Sequence, residues 1–571
     1  MSQLSELYQK VRTQLTAPSA PFETVEEVVR GRPMRVYRNA FRLLPELLAS
    51  ARAHGDKPFI VYDGETWTFD RFFAEVDALA AQLRDWGVGP ASRVAIAMRN
   101  RPEWAVAFAA AASLGAVPAP LNSFGVGEEL HDALAMIEPS ALVCDVERLE
   151  RMGGDTHVAG CRVVRVGAEG QAGAAPAERA ADYQQIVRNA AAPQPLPSLD
   201  PDDPALILFT SGATSRPKAV LSSQRAVCQA LFNIDFIGAY SAMTSPDIIE
   251  RLMARGIAPA TLTAVPLFHV SGLHAQLLSA LRNGRRLVFM PRWDAAKAIG
   301  LIREQQVTQF NGAPAMVMQL IAEPGFDDPA CGGNLAGLGF GGAGLPQRLI
   351  DEVQRRKPDS MSGIGFGLTE TNGVGAASSG RLFAYKPRSA GVISPIVEVK
   401  VVDPSGEALP AGEAGEIWLR GVTIMDGYLN DPSATAAAMH EGWFRSGDIG
   451  YVDEEGFLFV VDRIKDVINR FGEKIAAAEV ESCLLQMPDV LEAAVFAVPD
   501  ETTGEAVAAV VSVREGAALD GAALRAHVGA HLAAYKVPAS VQVLSVALPR
   551  NAAGKLLKGE VRSAFLASRQ G

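Results

Sequence analysis

Phe209-Thr210-Ser211-Gly212-Ala213-Thr214-Ser215-Arg216-Pro217-Lys218-Ala219 follows the apolar run Ala205-Leu206-Ile207-Leu208, so a buried strand delivers the chain into a loop of hydroxyls, glycine and cations. Such a loop is suited to phosphate. Short Ser/Thr side chains and exposed backbone N–H groups can converge on anionic oxygens, and Lys218 adds a positive charge. Residue order excludes one familiar reading. A Walker loop needs Gly-Lys-Ser/Thr at the entrance to a helix, whereas here Pro217 precedes the lysine and Ala219 follows it. Alone, the same composition also describes a solvated turn. The rest of the chain has to decide.

Composition sets the outer bounds. With 571 residues, 48% hydrophobic and 20% charged, the chain can bury a large core without disulfides and divides into roughly two or three units. Cys144, Cys161, Cys228, Cys331 and Cys483 are scattered and form no CxxC pair, which predicts a reducing, cytoplasmic setting and no cysteine metal cluster. A net charge of −11 argues against nucleic acid as a partner, because phosphate neutralisation needs a basic face. The first residues, 1–33, lack the charged start and apolar core of a signal peptide. Residues 104–121 are almost wholly apolar, but alanine, Gly115, Pro118 and Pro120 predict a small-residue helix buried in an α/β core instead of an integral membrane segment.

Apolar β-branched runs alternate with amphipathic segments over most of the length, which predicts an α/β fold with a parallel sheet. Strands are expected at 93–97, 141–144 and 162–166, and helices at 74–86 and 295–305. Residues 167–204, rich in Ala, Pro and Gly, read as a surface connection. The turns Asp403-Pro404-Ser405-Gly406 and Pro410-Ala411-Gly412 predict a small antiparallel β subdomain over about 389–461. After Asp462 the pattern restarts, with helices at 475–485 and 522–534 and strands at 490–498 and 506–513, making a compact α+β unit of roughly a hundred residues. The expected organisation is a large N-terminal domain, 1–461, a junction at 462–466, and a small C-terminal domain, 467–571.

Further motifs follow the phosphate loop in a fixed order. They are Val265-Pro266-Leu267-Phe268-His269-Val270-Ser271-Gly272, Gly341-Gly342-Ala343-Gly344, Gly365-Phe366-Gly367-Leu368-Thr369-Glu370-Thr371 and Gly415-Glu416-Ile417-Trp418-Leu419-Arg420-Gly421. Trp443-Phe444-Arg445-Ser446-Gly447-Asp448, Asp462-Arg463-Ile464-Lys465-Asp466 and Pro549-Arg550-Asn551-Ala552-Ala553-Gly554-Lys555 complete the series. From about Trp67 to Lys558 the chain resembles the adenylate-forming superfamily of acyl- and aryl-CoA synthetases, peptide-synthetase adenylation domains and firefly luciferase.

The resemblance implies that a carboxylate attacks the α-phosphorus of Mg-ATP, giving an acyl-adenylate and pyrophosphate, and that a thiol then displaces AMP. Both steps bring anions together, so positioned cations and backbone donors must offset repulsion. By the same resemblance Thr210, Ser211, Gly212, Thr214 and Lys218 line the triphosphate loop, and Thr369 meets the α-phosphate. Glu370 holds Mg²⁺, a hard ion that prefers oxygen ligands. Gly341 to Gly344, with Gly342, Ala343 and Gly344 in the ATP site, let the backbone approach adenine, Phe366 lies against its face, Gly367 belongs to the same ATP site, and Asp448, with Arg463 nearby, accepts from the ribose hydroxyls.

Lys555 is implied as the adenylation lysine, with Thr210, Glu370 and His269 completing the catalytic set. Lys465 is implied as the hinge about which a mobile C-terminal domain swings between half-reactions. Gly472, Glu473 and Lys474 would line the pantetheine tunnel of CoA, with Tyr535 and Lys536 on its nucleotide, while His269, Gly341 and Gly365 border the acid. Some positions depart from the pattern: Ala213, Ser215 and Ala219 in the loop, Phe366 where tyrosine is common, and Ala477 for a frequent proline. The expected activity is an ATP-dependent, AMP-forming acid–CoA ligase for a fatty or other hydrophobic acid. Transfer to a carrier protein, an amine or an internal hydroxyl, a non-catalytic nucleotide-binding role and a homodimeric state stay open.

Overall fold

The computed structural model describes residues 3–154, 160–167, 180–210, 217–341, 345–470, 473–500, 502–551 and 554–569. Its first α/β layer is a parallel sheet in the order Val117–Pro120, Arg93–Ala97, Ala141–Asp145, Arg162–Val166, Ala180–Asp182. The central strands are buried along nearly their whole length, as expected where helices cover both faces of a parallel sheet. One of those helices, Pro102–Ser113, is buried from Pro102 to Ala112.

Two sequence expectations need correction here. The apolar stretch 104–121 is not one helix: the chain turns at Gly115, whose φ is 73°, and returns as the strand Val117–Pro120. Pro118 and Pro120 are tolerated because this strand lies at the sheet edge. Among the described residues no helix is long and apolar enough to cross a membrane. Within the predicted connection 167–204, Ala180–Asp182 adds a strand and Tyr183–Val187 a short helix. Tyr183 drives that ordering by burying its ring and donating to Glu75 Oε2 at 2.6 Å.

A second sheet runs parallel through Pro58–Tyr62, Arg286–Phe289, Ala260–Thr263, Gln309–Gly312, Gly337–Phe340 and Gly363–Leu368. It then continues antiparallel through Gly373–Ser379, Gly391–Ile393, Phe457–Arg463, Trp443–Val452, Gly415–Gly421 and Val397–Val402. The antiparallel strands of 389–461 therefore extend the parallel sheet without a break in hydrogen bonding. Loops at the carboxyl ends of the parallel strands are where such sheets bind ligands.

Beyond Arg463 a one-turn helix, Ile464–Asp466, leads to a separate sheet, and so to the small C-terminal domain. Its strands are ordered Glu473–Ala476, Val467–Arg470, Gly504–Val513, Val490–Asp500, with Ser540–Leu544 beside Gly504–Val513. Ile468, Ile475, Val480, Val507 and Leu524 give it a core of its own. The predicted helices shift at their ends. Ile475 belongs to a strand and the first helix is Ala477–Leu484; the second, Gly521–His531, stops before a one-turn helix at Ala534–Lys536. The five cysteines are buried and form no disulfide.

Close backbone approach fixes the strands that carry the site. A Cβ on Gly363 would lie 2.2 Å from the Ser378 carbonyl oxygen and 2.5 Å from Ser379 Cβ. Backbone cannot yield there as a side chain can, so Gly363→Ala should destabilise the large domain by about 1–3 kcal/mol. A denaturant midpoint equal to wild type would contradict this.

Candidate active site

The apolar run and the segment that follows the loop pair as neighbouring strands. Pro204–Thr210 pairs antiparallel with Lys218–Ser223, and Thr210 stands directly opposite Lys218. No helix begins at Lys218, which accords with the exclusion of a Walker loop. Ser211, Gly212 and Thr214 lie outside the described residues, as do Gly342, Ala343, Gly344 and Gly472.

The Lys218 Nζ sits 4.6 Å over the ring of Tyr428. That tyrosine is a residue the sequence reading missed. It belongs to the short strand Gly427–Tyr428, which pairs with the hairpin through Val220, and its hydroxyl donates to Glu370 Oε1 at 2.9 Å. Burial, followed by the adjacent Glu370 charge, pushes the Tyr428 pKa up, so the hydroxyl stays a donor.

Glu370 lies in a one-turn helix, Thr369–Thr371, at the end of Gly363–Leu368. The turn is pinned from several sides. Thr371 Oγ1 accepts from the Leu368 N–H at 2.9 Å, the Met425 N–H donates to the Glu370 carbonyl at 2.8 Å, and Asn372 donates to Ser222 Oγ at 2.9 Å and to the Thr423 carbonyl at 3.0 Å. Asn372 takes the left-handed φ of 53° that its short polar side chain tolerates. Just upstream the ladder slips between Phe366 and Gly367, leaving Phe366 half-buried and Gly367 exposed. Gly341 faces open space, since a Cβ there would meet nothing within 4 Å. Gly365 is the third residue of the neighbouring strand, Gly363–Leu368.

On the antiparallel part of the sheet, Asp448 and Arg463 are cross-strand partners with Nε and Oδ1 3.0 Å apart. The Asp448 side chain is only 5% exposed. Burial raises its pKa, while Arg463 and then Lys555 pull it down and Glu370 adds to the rise. Lys555 reaches this group from the small domain. Its loop is held by Arg550, which donates to the Gly554 carbonyl at 2.7 Å and to Glu492, and by Asn551, whose Oδ1 accepts from the Lys555 N–H at 2.9 Å. Gly554 packs so closely on the large domain that a Cβ there would lie 3.0 Å from Ala313 Cβ. Burial and then the cations Arg463 and Lys465, against Asp448 and Asp466, push the Lys555 pKa down to about 8. Thr210, Lys218, Glu370, Asp448, Arg463 and Lys555 are thus assembled from distant segments, with Lys465 in the exposed turn Ile464–Asp466 beside them.

A second group gathers on the small domain. Glu473 and Lys474 are exposed at the start of Glu473–Ala476, opposite Arg470 and Asn469. Arg470 donates to the Tyr535 carbonyl at 2.7 Å, and Lys536 Nζ is held by Glu479 at 2.6 and 2.8 Å.

His269 closes the tight turn after Pro266, where a Cβ on Gly272 would come within 2.3 Å of the Pro266 carbonyl oxygen. Its ring lies 4.4 Å from that of Phe268. Half-buried in this turn, its imidazole is desolvated, which pushes its pKa down to about 4. The sequence reading also missed His274, wholly buried on the π-helical stretch Leu273–Leu278 beside Asn372, and pushed by burial to about 4.

Residues 47–429 match the family of AMP-binding enzymes, and residues 479–555 match the AMP-binding enzyme C-terminal domain. The chain belongs to the AMP-binding enzyme family. It is 34% identical to an indoleacetate–CoA ligase of Aromatoleum aromaticum, over 85% of this chain and 91% of that one. It is 32% identical to the long-chain-fatty-acid–CoA ligase FadD13 of Mycobacterium tuberculosis, over 87% and 93%. Among solved structures it resembles the o-succinylbenzoate CoA synthetase of Bacillus subtilis in complex with ATP and magnesium, at a TM-score of 0.73, 27% identity, and coverage of 90% and 99%. The chain is an AMP-forming acid–thiol ligase with the large and small domains of this family.

The environment of His269 gives a direct test. Its imidazole should remain uncharged from about pH 5.5 upward, so its ring resonances in a histidine-labelled NMR titration should not move between there and about pH 8. A transition centred near the ordinary histidine value would contradict the burial described.

Proposed function

We propose that this ligase activates a hydrophobic carboxylic acid as its adenylate and passes the acyl group to CoA, with Lys555 serving the first step. The observation that carries this reading is the packing of Gly554 on Ala313 of the large domain, which brings the charge of the adjacent Lys555 within electrostatic reach of the Asp448–Arg463 pair. A desolvated ammonium there can lie between an incoming carboxylate and the α-phosphate. Asp448, fixed by its strand partner, presents acceptor oxygens to the ribose. Thr210 and Lys218, facing each other at the hairpin mouth, grip the triphosphate from both sides. As the acid's oxygen bonds to the α-phosphorus, the bond to pyrophosphate breaks, and the charge moving onto the phosphoryl oxygens is met by Lys555 and the hairpin donors.

The carboxylate of Glu370 fits a magnesium ion. It is a hard oxygen donor, half-buried, with Oε1 occupied by Tyr428; bound there, the ion would neutralise phosphate charge. Lys465 is proposed as the hinge between the two domains, so that Lys555 withdraws and the group of Glu473, Lys474, Tyr535 and Lys536 can guide CoA towards the adenylate near His269. The acid side is bordered by Gly341, Gly365 and His269, uncharged positions that suit an aryl or alkyl group. The aryl and fatty acids named for the relatives support that class.

Incubation with ATP, Mg²⁺ and a panel of aryl and alkyl acids, with and without CoA, should give AMP, pyrophosphate and a CoA thioester, identified by mass spectrometry. An adenylate that accumulates despite CoA would refute the acceptor; an amide formed with an added amine would identify another.

Lys555 must be protonated to act, and the cationic form is present below its pKa. The kcat/KM of adenylation, which reports the free enzyme, should therefore hold up to neutral pH and fall through about pH 8. Lys555→Arg should lose that descending limb in whatever activity remains, because guanidinium stays charged. Lys555→Ala should lose at least about 3 kcal/mol of adenylation while still forming thioester from supplied acyl-adenylate.

A further inference from the structure

The segment that precedes the family match is ordered and reaches the active site. Its helix Gln3–Thr16 buries Tyr8, Val11 and Leu15, and its strands Thr24–Val29 and Arg32–Tyr37 form a hairpin. The tip is Arg30-Gly31, both left-handed at φ 52° and 73°, as a two-residue hairpin turn requires. Asparagine or glycine is usual at the first of these positions, and an arginine there is uncommon.

The Arg30 side chain explains the choice. Nη1 donates to the Met425 carbonyl at 3.0 Å, Nη2 donates to the Ile424 carbonyl at 3.1 Å, and Nη2 pairs with Asp426 Oδ1 at 2.5 Å. The segment so gripped is the one that fixes Glu370. The Met425 N–H donates to the Glu370 carbonyl and the Asp426 N–H to the Leu221 carbonyl, each at 2.8 Å, and two residues on Tyr428 bonds the Glu370 carboxylate. Burial, opposed by Arg30 and reinforced by Asp202, pushes Asp426 up to about 6, so at neutral pH the pair is charged on both sides. The same hairpin tip holds the turn leading into Trp443–Val452, the strand of Asp448. Arg32 bonds the Glu441 carbonyl and lies where a Cβ on Gly442 would fall, 2.5 Å from its Nη1.

We infer that Arg30 is a positioning residue for adenylation: through residues 424–428 it sets where Tyr428 and Glu370 stand against the triphosphate hairpin. The inference rests on the proposed role of Glu370, and it makes the N-terminal hairpin part of the catalytic frame. A guanidinium suits the task, because one planar fork can serve two carbonyls and a carboxylate together.

The test is ATP–pyrophosphate exchange by the full chain at varied Mg²⁺, for Arg30→Ala, Arg30→Lys, Tyr428→Phe, the Arg30→Ala/Tyr428→Phe double variant and Glu370→Gln, with folding checked by circular dichroism. Arg30→Ala should lower the exchange kcat by about tenfold or more and raise the Mg²⁺ concentration needed, while the KM for the acid stays within about twofold. Arg30→Lys should recover part of the loss. If Arg30 acts through Tyr428, the double variant is no slower than the slower single one. Wild-type kcat and Mg²⁺ dependence in folded Arg30→Ala, or strictly additive losses in the double variant, would overturn the inference. Should Arg30→Ala fail to fold, additive losses with Arg30→Lys in its place would do the same. An unchanged Mg²⁺ requirement in Glu370→Gln removes the metal role of Glu370 alone, and the double variant then decides for or against Arg30.

Discussion

An ammonium buried among other cations is the constraint on which this site depends. Lys555 is half-buried, and the charges of Arg463 and Lys465 act against its own, with Asp448 and Asp466 as partial compensation. Its lowered pKa means that this setting disfavours the charged form when the protein is alone. In the function proposed above, two incoming anions, a carboxylate and a triphosphate, would reverse that balance. The same burial that disfavours the ammonium would favour it beside those anions, and a lysine so placed is one that the proposed domain movement could withdraw at small cost.

Such an arrangement works only if the receiving surface is stiff. The second sheet supplies this by running unbroken from parallel strands, whose carboxyl ends border the acid side, into antiparallel strands that carry Asp448 and Arg463. Cross-strand pairing fixes the carboxylate before any nucleotide arrives. The triphosphate hairpin is a separate piece, joined to this frame by Gly427–Tyr428 and by the contacts around Glu370. Tyr428 is therefore a joint, touching the cation of the hairpin on one side and the acidic turn of the sheet on the other.

What the sequence disclosed follows from what is local. The strands Arg93–Ala97 and Arg162–Val166 fall where β-branched apolar runs placed them, and the helix Ala295–Glu304 ends one residue short of its expectation. The stretch 104–121 does not form one helix because the chain turns at Gly115, and Pro118 and Pro120 then fit the edge strand that follows, where a missing N–H is tolerated. Glu370, Asp448 and Lys555 could be named because ordered motifs carry them. Tyr428 and Arg30 could not. Their partners lie 58 and about four hundred residues away, which leaves no mark in local pattern.

The departures from the family pattern divide on the same physical ground. Ala219 lies opposite Phe209 in the hairpin with its side chain buried in the core, so a methyl group replaces glycine where it can pack and where no left-handed backbone is needed. Ala477 is the first residue of the helix Ala477–Leu484. Proline is favoured at that position because its fixed φ suits the first turn, but alanine is the best intrinsic helix former, so the substitution keeps the helix start. Phe366 differs from a tyrosine only in its hydroxyl, and its ring packs against the core of the antiparallel strands. Ala213 and Ser215 lie outside the described residues; the other three changes are absorbed by packing or by helix geometry, whereas Glu370, Asp448, Arg463 and Lys555, which no packing could replace, are present.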